Sequence, residues 1–133
     1  MNIVEKLKES LSSEYDFKVT KTRNFLKLVK EDFDTYTLYV KESNLQDGFW
    51  GLNENQITKL KSQNKRWGVV LQIREFDKGY YFNIDEVDAL LNDPRTSYSV
   101  SDYKIHEPQI EKNKYFKSIS EFIELIYHRT TPH

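Results

Sequence analysis

The sequence predicts an α+β fold: a single domain over residues 1–133, with a mixed central sheet of about five or six strands flanked by helices. Three observations carry this. Trp67-Gly68-Val69-Val70-Leu71-Gln72-Ile73 is apolar at nearly every position, so neither face of the extended segment suits water and the strand is a central one, covered on both sides. Stretches with helical apolar spacing alternate along the chain with stretches of period two. No repeat, low-complexity tract or long linker divides 133 residues, a length that suits one core.

The elements follow in the order helix-strand-strand-strand-helix-strand-strand-helix-strand-helix. Ile3, Val4, Leu7 and Leu11 recur at helical spacing behind Asn2, with Glu5 placed to complete a capping box. Tyr15, Phe17 and Val19 alternate with polar residues and open the first strand; Phe25 to Val29 is the second, after a turn near Lys21 to Asn24. Tyr36, Leu38 and Val40 share one face of the third. Glu42 to Leu52 reads as a loop in which Phe49 and Trp50, framed by Gly48 and Gly51, fold back onto the domain. Asn53-Glu54-Asn55-Gln56 caps a helix that ends near Asn64 and carries Lys59, Lys61, Lys65 and Arg66 as a basic outer side. After the central strand, Asp77-Lys78-Gly79 is a three-residue hairpin loop with Gly79 at positive φ, and Tyr80 to Phe82 returns antiparallel. Asn83 to Glu86 caps the next helix, which Asn92-Asp93-Pro94 stops. Tyr98 and Val100, then Tyr103 and Ile105, predict one or two late strands, Ser118 to Glu121 caps the last helix, and Thr130 to His133 is a frayed tail.

Composition excludes several classes. With no cysteine there is no disulfide framework, thiolate metal site or Cys nucleophile. No Gly-rich phosphate loop and no Gly-x-Ser-x-Gly elbow occurs. His106, His128 and His133 share no ligand spacing, and His106 reads as a partly buried, hydrogen-bonded side chain. The net charge of −1 excludes the overall basicity of many dedicated nucleic-acid binders, though a local basic face remains open. No run of 18 apolar residues and no apolar core of signal-peptide length occurs, so a cytoplasmic protein with no membrane partner is expected. Frequent Lys, Asn and Ile beside scarce Ala and Gly is the bias AT-rich coding gives, as in many bacteria and phages.

From residue 2 to about 91, the order of elements resembles the core of the restriction-endonuclease-like superfamily, the PD-(D/E)XK fold of Holliday-junction resolvases and many restriction enzymes. In that family the third strand carries an acid, any residue and a lysine. Acid and lysine project on one face, where the carboxylate and an upstream Asp hold Mg²⁺ and the lysine helps orient the attacking water. Leu38-Tyr39-Val40-Lys41 puts Lys41 at the family's lysine and Tyr39 where the acid stands. The resemblance thus implies Lys41 and Asp34 as catalytic candidates, and Asp34 with Glu9 or Glu5 as metal ligands. Gln72 would face the same site, and Mg²⁺ would be the cofactor of any catalysis. A phenol has a pKa of about 10 and is a poor ligand for a hard dication, so weak or lost Mg²⁺-dependent phosphodiesterase activity is expected.

Lys21, Arg23, Lys59 and Arg66 are the candidates for contacts to DNA phosphates, with Tyr39 or Trp50 stacking on bases. Each of these residues also has an ordinary role: Lys41 as a solvated strand lysine, Asp34 as a turn residue, Trp50 as a core anchor. The alternative function is a non-enzymatic bacterial or phage protein of immunity or inhibitor type, binding a protein partner through its aromatic and acidic surface. Convergence of Asp34, Lys41 and a further carboxylate separates the two.

Overall fold

All seven residues of the strand Trp67–Ile73 are buried, and the molecule is layered around it. The computed structural model describes residues 2–43, 48–63 and 66–129. The predicted helix end at Asn64, the cation Lys65 and the tail from Thr130 to His133 lie outside the described residues. The chain runs α1 (Ile3–Tyr15), β1 (Lys18–Thr22), β2 (Phe25–Lys30), β3 (Phe33–Glu42), β4 (Phe49–Asn53), α2 (Glu54–Gln63), β5 (Trp67–Ile73), β6 (Glu75–Phe82), α3 (Ile84–Leu91), β7 (Ser97–Ser99), β8 (Asp102–His106), β9 (Tyr115–Phe116) and α4 (Ile119–Arg129). The fold is α+β, with a mixed six-stranded sheet in the order β1-β2-β3-β5-β6-β9 and a second, three-stranded sheet β4-β8-β7. Among the described residues only β3 and β5 pair in parallel, because the segment between them carries β4 and α2 across the sheet.

Two cores lie on the two faces of the large sheet, as period-two alternation requires. Leu38 and Val40 of β3 and Val70 of β5 pack with Leu7 and Leu11 of α1 and Phe122 and Ile126 of α4. Tyr39, Val69 and Leu71 face the other way, onto Ile57 and Leu60 of α2, Val87 and Leu90 of α3, and Trp50 and Ile105 of the small sheet. The helices start where their caps predict. Asn2 Oδ1 accepts from the Glu5 N–H at 2.8 Å, Asn83 and Glu86 complete a capping box, and Ser118 Oγ accepts from the Glu121 N–H at 3.1 Å.

Three local expectations are corrected. Phe49 to Asn53 is a strand, β4, and not part of a loop: its alternation buries Trp50 and Leu52, and its partner β8 lies far along the chain. The β5–β6 hairpin turns at Arg74 (φ 63°), while residues 76–78 bulge out between the Ile73–Glu75 and Gln72–Gly79 pairs. Gly79 therefore needs no positive φ. It is required because a Cβ there would stand 2.2 Å from the Leu71 carbonyl oxygen. His106 is exposed, resting against Phe49 with ring centroids 4.8 Å apart.

Candidate nucleic-acid interface

The β1–β2 hairpin turns through Arg23 (φ 54°) and Asn24, and Asn24 fastens the turn to the end of β3. Its Nδ2 donates to the Val40 carbonyl at 3.1 Å, and its own carbonyl accepts from the Val40 N–H at 2.8 Å. Lys41 is the next residue of β3, so the turn carrying Arg23 and the end of β3 carrying Lys41 line one cleft.

The facing wall is the first turns of α2. Asn53 Oδ1 accepts from the Gln56 N–H at 3.1 Å, which caps the helix. Asn55 and Gln56 stand four and three residues before Lys59, and all three line the cleft. Phe25, half-buried, rests stacked on Tyr39 with centroids 5.2 Å apart, and the Tyr39 hydroxyl accepts from the Asn53 N–H at 3.3 Å. Asp102 closes the far side from β8. The result is a cleft of about 820 Å³ with three cations, Arg23, Lys41 and Lys59, against one carboxylate. Among the described residues none of these three cations has an ion-pair partner. The positive ends of the α2 peptide dipoles add to their field.

The other predicted site residues are elsewhere. Lys21 pairs with Glu5 at 3.4 Å on the α1 side of the sheet. Arg66 lies over the rings of Phe33 and Tyr36, at 5.6 and 5.3 Å, and its Nη2 donates to the Asp34 carbonyl at the opposite end of β3. Tyr39 and Trp50 are fully buried, so neither ring can stack on a base; Trp50 Nε1 donates to the Gln72 carbonyl at 2.9 Å. The half-buried ring in the cleft is Phe25.

The catalytic constellation does not assemble. Asp34 is seven positions before Lys41 on the same strand, roughly 23 Å away at about 3.3 Å per residue. Glu9 is exposed on α1, the helix that covers the other face of the sheet. Register pairs Lys41 with Leu71 and Glu42 with Gln72, so Gln72 points away from Lys41; its Nε2 donates to the Ile3 carbonyl at 3.0 Å under α1. The cleft that Lys41 lines holds one carboxylate, Asp102, and the neutral amides of Asn24, Asn53, Asn55 and Gln56. Burial, with a smaller contribution from the charge of Asp102, pushes the Tyr39 phenol up to about 12, so Tyr39 is neutral. Among the described residues no three His, Cys, Asp or Glu side chains cluster to hold a metal. This donor set does not fit a hard dication, which takes converging oxygens.

Charge found Arg23 and Lys59, and the strand motif found Lys41, but Asn24, Asn53, Asn55, Gln56 and Asp102 escaped sequence reasoning. Asn53 and Gln56 were legible only as a helix cap, and Asp102 stands in no motif. No protein-family model matches the sequence, and comparison with curated proteins finds no match. Among the described residues, no helix is long and apolar enough to cross a membrane.

Proposed function

We propose that this is a nuclease-fold protein that binds DNA by its phosphate backbone in the cleft between the β1–β2 turn and α2, without cleaving it. One observation carries the reading: Arg23, Lys41 and Lys59 come from three different elements, converge on one cleft, and lack ion-pair partners among the described residues. Grouping like charges is unfavourable, and a polyanion in the cleft would relieve their repulsion. The order of elements through α3 and the position of Lys41 support the resemblance to the restriction-endonuclease-like fold, and a buried phenol at the acid position, with no cluster of three carboxylates or histidines among the described residues, supports lost hydrolysis.

Fluorescence anisotropy with labelled DNA tests this. Binding should be salt-sensitive and should be lost in the Arg23→Ala/Lys41→Ala/Lys59→Ala variant, with no cleavage in Mg²⁺ or Mn²⁺. Cleavage abolished by Lys41→Ala would overturn the non-hydrolytic part.

A second reading, the binding of a protein partner, draws on the β7–β8 hairpin. Tyr98 is 51% exposed and Val100 90% exposed, the largest apolar exposures among the described residues. Absence of DNA binding by the wild-type protein at low salt would favour it.

A further inference from the structure

The cleft holds more than a phosphate site. Asp102 lines it with a side chain 35% exposed, in the same cleft as the three cations. Its contacts are long: Asn53 Nδ2 stands 3.5 Å from one oxygen and Lys104 Nζ 3.7 Å from the other. Both oxygens thus keep acceptor capacity for a short bond. Gly51 lies alongside, and a Cβ there would come within 3.3 Å of Oδ2. Phe25 supplies a half-buried ring to the same cleft, stacked on Tyr39.

A cleft that only tracked phosphates would gain nothing from a carboxylate, which repels the backbone. We infer, on the basis of the DNA-binding reading, that the cleft takes a single-stranded nucleic acid and prefers guanine. Phosphates lie on Arg23, Lys41 and Lys59, a base stacks on Phe25, and Asp102 accepts hydrogen bonds from its Watson–Crick edge. Guanine alone presents two parallel donors, N1–H and N2–H, to match the two carboxylate oxygens. Adenine, cytosine and thymine each place an acceptor beside their donor, and that acceptor meets the carboxylate repulsively. A duplex hides these edges, so the preference belongs to single strands.

The experiment is anisotropy with labelled oligothymidylates carrying one central dG, dA, dC or deoxyinosine, and with the duplex of each, at low salt. The dG strand should bind about tenfold more tightly than the dA or dC strand, the scale of one good bidentate base contact. Deoxyinosine, which lacks N2–H, should fall between them, and the duplexes should show no preference. Asp102→Asn, checked for an unchanged melting temperature, should bring dG, dA and dC within about twofold. Equal affinities for the four wild-type single strands overturn the guanine preference and leave backbone binding standing. A dG preference that survives Asp102→Asn overturns the role of Asp102. No binding of any strand or duplex at low salt overturns the DNA-binding reading as well. The deoxyinosine comparison uses the wild-type protein, so the inference is tested even if Asp102→Asn fails to fold.

Discussion

Under the proposed nuclease-fold reading Tyr39 would occupy the position of an acid, yet its surroundings are those of a core residue. It is fully buried, stacked on Phe25, and its hydroxyl receives the Asn53 N–H. A carboxylate placed there would be buried without a cation beside it. Tyr39→Glu is therefore expected to unfold the domain rather than restore cleavage, since an unpaired buried charge costs several kcal/mol against a total stability of about 5 to 15 kcal/mol. Circular dichroism melting checks this; a folded Tyr39→Glu protein with Mg²⁺-dependent cleavage would show that the site tolerates an acid. The same burial gives a pH dependence. The folded phenol titrates at about 12, above the ordinary value of 10.0, so its stabilising contribution is complete below pH 10 and is lost as the pH rises towards 12. Tyr39→Phe should flatten that alkaline loss without abolishing it, because burial and the neighbouring Glu107 also raise the pKa of Tyr80. Urea denaturation on either side of this window reads the difference.

At the scale of elements, the β7–β8 hairpin turns through Val100 and Ser101, both with positive φ (53° and 65°). A β-branched residue is poorly suited to this conformation, and Val100 is 90% exposed, so packing does not compensate. Val100→Gly should raise stability by about 1 kcal/mol, measured by the urea midpoint at constant m. An unchanged or lower midpoint would mean that the methyl groups of Val100 stabilise the tip. What was legible in the sequence follows the same division between local and distant causes. The central strand and the helix caps were readable because run length and cap spacing are local properties. The strand β4 was not, since Phe49 to Asn53 is ordered by pairing with β8, far along the chain, and glycines beside two rings resemble a loop. The Asp-Lys-Gly stretch has the composition of a hairpin turn but forms a bulge, and the register that decides between them is tertiary.

At the scale of the whole molecule, five of the predicted cations divide into two sets that sequence could not separate. Lys21 and Arg66 look no different from Arg23, Lys41 and Lys59 in sequence, yet one is committed to Glu5 and the other to the rings of Phe33 and Tyr36 and the Asp34 carbonyl. Cross-strand pairing and helix placement make the assignment. The division predicts salt dependence. Removing one phosphate-neutralising cation should reduce the slope of log affinity against log salt by roughly 0.7 on single strands and 0.9 on duplex DNA. Arg23→Ala, Lys41→Ala and Lys59→Ala should each lower the slope by about that amount, and together by about threefold that amount, because their side chains enter one cleft. Lys21→Ala and Arg66→Ala should leave the slope unchanged, though Arg66→Ala should lower stability by removing the cation from two rings and a bond to the Asp34 carbonyl. Titrations over a series of salt concentrations for all five variants decide the matter. Equal reductions in slope at Lys21 and Lys41 would move the DNA path out of the cleft and onto the general surface of the β1–β2 hairpin.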